Sequence, residues 1–235
     1  MENDQYHVAD YSKVCNTGAV GLVSKFLHRS LESFGLVVRR NRILGRFDLL
    51  KILEVGAGGG QHARYVRHSF DQLIECDIRP ENIPNVAEDP RIVKEFKTVD
   101  AQNLPYADNS HDRLIATCLL AHLSDPEKAL EEWKRIVRPG GVISIFVPCE
   151  PGFLLRISQM MTTRRKQKIL GYNGRLLHYR EHRNHHPGMM TFIRQIYGSD
   201  ARVTNYPFPF LSWNFNLWSI VQVESLTKSE KIITH

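Results

Sequence analysis

The spacing of apolar positions changes character twice along this chain. From Ala19 to Val38 the residues Val20, Val23, Phe26, Leu27, Leu31 and Phe34 recur at the interval of one helical face, which predicts a helix. A polar stretch over residues 1–17 precedes it, and a basic connector, Arg39-Arg40-Asn41-Arg42, follows. Short apolar runs with the length of buried strands then take over: Lys51–Val55, Gln72–Asp77, Glu95–Asp100, His111–Thr117 and Val142–Val147. Gln61–His68 reads as a helix after the first run, and Pro80 suits the start of a helix or turn after the second. Asp125-Pro126 opens a further helix with an acidic first turn, Ala129, Leu130, Trp133, Ile136 and Val137 at helical spacing, and a stop at Arg138-Pro-Gly-Gly141.

Strands that alternate with helices imply right-handed crossovers and a parallel sheet. The end of the chain differs. Ala201–Pro207 and Leu217–Glu224 read as two strands with no helix between them, hence a hairpin at a sheet edge, where Pro207 and Pro209 are tolerable. The stretch between the fifth strand and this hairpin carries helical signals at Phe153–Met161 and Met189–Tyr197, with a histidine-rich segment between them. Ligands in open α/β sheets bind beyond the carboxyl ends of the strands. This stretch leaves from such an end and is expected to cover the site.

Composition narrows the classes. The chain has 235 residues, 42% hydrophobic and 24% charged, which suits one globular α/β domain and disfavours a disordered one. The net charge is +6 and the pI about 9.2, a modest basic balance that leaves an anionic partner open. Its one tight run, Arg164-Arg165-Lys166-Gln167-Lys168, reads first as a solvated helix face. Cys15, Cys76, Cys118 and Cys149 are scattered and form no C-x-x-C pair, so neither a zinc knuckle nor a disulfide scaffold is expected, and a reduced, cytoplasmic setting fits. No apolar run approaches the length of a membrane span, and the first residues lack the pattern of a secretory signal.

Glu54-Val-Gly-Ala-Gly-Gly-Gly60 follows a strand and opens the next element. Glycines there let the backbone turn sharply and approach a ligand with no Cβ in the way. A pyrophosphate-binding G-x-G-x-x-G beginning at Gly56 would need glycine at 61, where Gln61 stands, and no Lys-Ser/Thr pair of a P-loop follows. Asp77 ends the second strand 21 residues after Gly56 (77 − 56), the spacing at which a carboxylate accepts from ribose hydroxyls. The pyrophosphate-binding reading is disfavoured but not excluded; adenosine is implied on either reading, and the phosphates are not.

With these residues in place, the chain resembles the class I S-adenosylmethionine-dependent methyltransferases, and within them the small-molecule type 11 group. Ile52–Gly60 is similar to their motif I. Asp100-Ala-Gln-Asn-Leu-Pro-Tyr-Ala-Asp-Asn-Ser-His-Asp112 is similar to their D-x-x-x-L-P-F-x-D-x-S-F-D stretch, with His111 in place of the usual Phe. Leu119-Leu-Ala-His-Leu123 and Arg135-Ile-Val-Arg-Pro-Gly-Gly141 are similar to two further segments in the same order. The resemblance covers about residues 50–148 and implies a Rossmann-like fold: an open, seven-stranded, mostly parallel sheet with helices on both faces and a C-terminal antiparallel hairpin. The single domain would divide into a helical extension (1–45), a cofactor-binding core (46–148), a helical insertion (149–200) and the hairpin (201–226). The resemblance further implies S-adenosyl-L-methionine as cofactor. Gly56, Ala57, Gly58 and Gly60 would lie under its methionine part, Glu54 would steady that turn, and Asp77 would bind both ribose hydroxyls. Ile78 would pack on the adenine, Asp100 would accept from the adenine amino group beside Ala101, and Thr117 and Cys118 would line the floor near the sulfonium.

Methyl transfer from a sulfonium is an in-line displacement, so the protein must above all align the reactants. An acceptor hydroxyl also has a proton to lose, and histidine is the usual base near neutral pH. The candidates are His122, after the fourth strand, and His178, His182 and His185 in the segment His178-Tyr-Arg-Glu-His-Arg-Asn-His-His186. Tyr179, Arg180 and Arg183 would contact a polar acceptor, the arginines as anion ligands. No metal is implied by these spacings; one would need ligands that converge in space. The favoured acceptor is an O or N atom of a small polar metabolite such as a sugar. An RNA or other nucleic-acid acceptor, a lipid-linked acceptor at a membrane surface, and a cofactor-binding scaffold without turnover remain as alternatives.

Overall fold

The computed structural model describes residues 18–33, 51–68, 70–78, 91–95, 99–162 and 174–224. Cys15, the connector Arg39–Arg42, Pro80 and the run Arg164–Lys168 lie outside them. In chain order the elements are α1 (Gly18–Ser33), β1 (Lys51–Val55), β2 (Gln72–Cys76), β3 (Ile92–Glu95), β4 (His111–Ala116), α2 (Pro126–Ile136) and β5 (Val137–Pro148). Then come α3 (Phe153–Met161), α4 (Gly174–Glu181), α5 (His186–Tyr197), β6 (Ala201–Tyr206) and β7 (Trp218–Glu224). The strands form one sheet in the order β3-β2-β1-β4-β5-β7-β6. β1 to β5 run parallel, and β7 lies antiparallel between β5 and β6. The strand order reverses between β1 and β4, which is the crevice where this class of sheet takes its ligands. Among the described residues no helix is long and apolar enough to cross a membrane.

Side chains alternate between the two faces of each strand, and both faces are covered. Leu53 and Val55 of β1 and Leu114 and Ala116 of β4 pack on one face with Trp133 of α2 and Met189 and Ile193 of α5. On the other face Ile52 and Ile115 meet Ala63 and Phe70, while Phe146, Trp218 and Ile220 meet Leu31 of α1. That second face also carries charge. Arg113 of β4 is buried and donates to both Glu32 oxygens of α1, at 2.7 and 3.2 Å, and to Ser144 Oγ at 3.1 and 3.3 Å. Glu32 also meets His62 Nε2 at 3.1 Å, and His28 meets His62 at 3.0 Å. The side of α1 that is buried is therefore His28, Ser30, Leu31 and Glu32, while Val23 and Phe26 of its predicted apolar face stay partly exposed.

Four boundaries depart from the sequence expectation. Gln61–His68 is not a helix; one 3-10 turn, Ala63–Tyr65, forms, because His62 turns inward to Glu32 and His28 instead of continuing a regular repeat. The third strand is Ile92–Glu95 rather than 95–100, and Asp100 makes only an isolated bridge with Asn103. β5 begins at Val137, not Val142. Val137 pairs with His111, pairing resumes at Arg113–Val142, and the intervening Arg138-Pro-Gly-Gly141 bulges, with Gly140 at φ +80°. A Cβ at Gly141 would stand 2.6 Å from the Asp112 carbonyl, so only glycine fits that crossing. Finally, α5 starts at His186, three residues before the predicted Met189, and part of the histidine-rich segment is itself helical, in α4. The capped helix follows expectation: Asp125 accepts from Lys128 N at 3.0 Å and Pro126 is the first helical residue.

Candidate active site

The loop after β1 supplies the first wall. Gly56, Gly58 and Gly60 all have positive φ, between 52° and 64°, a conformation that other residues rarely adopt. Gly56 sits under Leu119, whose Cδ1 would be 2.7 Å from an added Cβ, while the space above Gly58 is open to beyond 4 Å. Ala57 N donates to Cys76 O at 3.0 Å and Gly58 N donates to Asp77 Oδ2 at 2.9 Å. The glycine turn and the carboxylate at the end of β2 are thereby locked to each other. Ile78 follows with its apolar side chain exposed.

Beneath the loop, Glu54 lies beside Glu75 of β2 in register. Burial and the neighbouring Glu75 charge push the Glu54 carboxyl well above its ordinary range, with Arg113 acting in the opposite sense. Glu54 Oε2 and the nearby Thr117 Oγ1 are both buried, and neither makes a hydrogen bond of good geometry within the protein. Buried polar atoms are rarely left so, and a pair of them at a ligand crevice fits a polar ligand group. Asp100 closes the turn 100–103: it accepts from Gln102 N at 2.9 Å and from Gln102 Nε2 at 3.1 Å. Ala101 is buried and its carbonyl accepts from Trp133 Nε1 at 3.1 Å.

The second wall brings together residues far apart in the chain. Cys118 leaves β4 in the left-handed region, φ +59°, which is uncommon outside glycine. Three residues on, the segment 120–123 clamps the end of α4: Arg183 N and Asn184 N both donate to Ala121 O, and Asn184 Nδ2 donates to the Leu120 and Leu123 carbonyls. His122 Nδ1 meets Glu181 O at 2.9 Å. His182 then stands edge-on to His122, ring centroids 4.6 Å apart, and 4.6 Å from His178. Both His178 and His182 reach the buried carboxylate of Glu150, at 3.4 and 2.6 Å from Oε2, and Gln159 donates to its other oxygen at 3.1 Å. Burial opposes ionisation of Glu150, but the His182 hydrogen bond and the charges of His182 and His178 outweigh it and hold its pKa below the usual carboxylate range.

Of the candidate catalytic histidines, His122, His178 and His182 thus converge, while His185 stands exposed as the residue before α5. His186 is buried instead, stacked on Trp213 and bonded to Ser219 Oγ at 2.9 Å. Tyr179, Arg180 and Arg183 are exposed on the outer side of the same segment. Sequence reasoning missed Glu150; the available signal was an acidic residue three positions after the apolar run Val142–Val147, at the ligand end of the sheet. It also missed the convergence of Cys118 with His122 and His182, whose ligating atoms lie within 4.8 Å of one another. The spacing rules that implied no metal do not see contacts between residues 118 and 182.

Residues 53–145 match the family model described as a methyltransferase domain. A curated relative, the methyltransferase GfsG of Streptomyces halstedii, is 33% identical over 102 residues, covering 40% of this chain and 36% of that protein. The chain therefore matches little more than a third of that relative's length. Among solved structures, an S-adenosylmethionine-dependent methyltransferase of Thermotoga maritima superposes with a TM-score of 0.52 at 17% identity, covering 93% of this chain and 96% of that one. The methyltransferase CalH, solved in complex with S-adenosylhomocysteine, superposes with a TM-score of 0.57 at 16% identity, over 91% of this chain and 61% of that one. At such identities the superpositions speak to fold alone. The family model and the ordered motifs mark residues 53–145 as similar to the methyltransferase domains of the type 11 group.

Proposed function

We propose that this chain transfers a methyl group from S-adenosylmethionine to an oxygen or nitrogen of a small polar metabolite, with sugars among the candidate acceptors. The observation that carries the reading is the pairing of an adenosine-type cradle with a cluster of protonable side chains at the same end of the sheet. The cradle fits the cofactor on its own chemistry: open space over Gly58, a carboxylate held at the end of β2, and the buried Glu54 and Thr117 oxygens, neither in a hydrogen bond of good geometry. In this reading Asp77 accepts from the ribose hydroxyls, Ile78 covers one face of the adenine, and the turn Asp100–Ala101 borders its amino edge. Gly56, Ala57, Gly58 and Gly60 lie under the methionine part, with Glu54 toward its amino group and Thr117 and Cys118 below the reacting end.

The cofactor, when bound, supplies a methyl already activated by positive sulfur, so the protein's work is alignment and the acceptor's proton. The acceptor would lie between the glycine loop and the cluster of Cys118, His122, His178, His182 and Glu150, and its proton would leave to that cluster. Tyr179, Arg180, Arg183 and His185 would meet its outer, polar part. Calorimetry with S-adenosylhomocysteine tests the cradle: micromolar binding that Asp77→Ala weakens at least tenfold supports it. Equal binding by wild type and variant, or binding of NAD in its place, refutes it. A small-molecule acceptor, rather than RNA, predicts that retention on RNA shows no steep salt dependence.

A further inference from the structure

The second wall has the geometry of a metal centre as well as that of a proton acceptor. We propose that Cys118, His122 and His182 bind a zinc-class divalent ion whose fourth position takes the acceptor atom; the binding itself stands apart from the methyltransferase reading, and only its catalytic use rests on that reading.

Three observations carry this. The ligating atoms of Cys118, His122 and His182 lie within 4.8 Å of one another. Ligands of a tetrahedral zinc with bonds of 2.0–2.3 Å stand about 3.3–3.8 Å apart, so closing on an ion asks for about 1 Å of side-chain rotation. Second, each histidine has its Nδ1 within hydrogen-bonding distance of an oxygen: His122 Nδ1 of Glu181 O at 2.9 Å, His182 Nδ1 of Glu150 Oε2 at 2.6 Å. An Nδ1–H donating to oxygen leaves the lone pair on Nε2, which is the tautomer a metal needs. The carboxylate–histidine pair is the arrangement that orients metal-bound imidazoles. Third, the donor set is one thiolate and two imidazoles, which suits zinc and disfavours magnesium or calcium.

Glu150, His178 and His182 form a second group within the same distance. Glu150 Oε2 is bonded to His182 Nδ1, however, so its place is behind the histidine and not on the ion. Three protein ligands and one open position are the form of a catalytic rather than a structural zinc site. A hydroxyl coordinated there ionises nearer neutral pH. Its proton leaves to His178, the histidine of the cluster that is not on the ion, its oxygen pair takes the methyl, and sulfur keeps the electrons of the broken carbon–sulfur bond, leaving S-adenosylhomocysteine.

The test is cobalt substitution of the full chain. Metal-free protein titrated with Co²⁺ is expected to saturate at one equivalent, with the intense visible bands of a tetrahedral site and a thiolate-to-cobalt charge-transfer band. Cys118→Ser should remove the charge-transfer band. Glu150→Gln should weaken binding by roughly 10–100-fold through loss of the carboxylate behind His182. Far-UV circular dichroism and urea midpoints on each variant report that the fold persists, so loss of metal and loss of structure are read separately. No tetrahedral spectrum in wild type, a spectrum without the thiolate band, or a band that survives Cys118→Ser overturns the proposal.

Discussion

Replacing Glu32 by Gln should be among the most damaging single changes outside the cofactor cradle. Glu32 is the only carboxylate in hydrogen-bonding contact with Arg113 among the described residues, and the two side chains are 3% and 2% exposed. Removing one member of a buried pair typically costs about 3–5 kcal/mol, because the other charge stays buried without its counter-charge. Arg113 keeps hydrogen bonds to Ser144 and His68, which points to the lower end, about 3 kcal/mol. Against a typical total of roughly 5–15 kcal/mol this is a large share. Glu32→Leu combined with Arg113→Met removes both charges and should recover part of the loss. Recovery should be incomplete, because Arg113 also offsets the Glu54 carboxyl beneath the glycine loop. Urea unfolding followed by tryptophan fluorescence is a suitable assay, since Trp218 donates to Ser30 Oγ under α1. At constant slope, the midpoint shift gives the cost directly. A loss below about 1 kcal/mol for Glu32→Gln, or strictly additive single and double variants, would refute the view that this pair anchors α1 to the sheet.

Gly60→Ala would place a Cβ 2.8 Å from Glu75 Oε1 at φ +62°, so S-adenosylhomocysteine affinity measured by calorimetry should fall at least tenfold; unchanged affinity would show that the loop yields easily. Stability should decline as pH falls from about 6.5 toward 4. Burial, helped by Lys51, lowers the His111 pKa to about 4, and burial, helped by Arg194, does the same for His186. Above 6.5 both are neutral in either state. Below it the unfolded chain takes up protons that the folded chain refuses, which costs on the order of 3 kcal/mol apiece by pH 4. Urea midpoints at pH 7.5 and 4.5 check this, and a flat profile would refute it. His111→Phe, which supplies the residue usual in the type 11 pattern, should flatten the profile and raise stability at pH 4.5, since it also removes a buried Nε2 that has no hydrogen-bond partner.

The sequence by itself determined those features whose causes are local. The glycines at 56, 58 and 60 and the carboxylate 21 residues on mark the proposed cradle, because a positive φ and the length of one crossover are properties of short stretches; Gly58 N and Asp77 Oδ2 then meet at 2.9 Å. The Asp125-Pro126 cap, the buried strands β1, β2 and β4 and the terminal hairpin were legible for the same reason: each is a period or a cap within a few residues. Tertiary structure alone decided the rest. A period of 3.6 cannot tell that α1 buries Glu32 and His28, since their partners Arg113 and His62 are 81 and 34 residues away. The same contacts turn His62 inward and leave a single 3-10 turn where periodicity suggested a helix. The proposed acceptor side depends on it most. Cys118, His122, Glu150 and His182 come from the ends of two different strands and from the segment after α4, and they meet only because Asn184 and Arg183 tie that segment to the Ala121 carbonyl. Chemistry assembled from the ends of separate strands leaves no periodic trace, because each residue is placed by the packing of its own element.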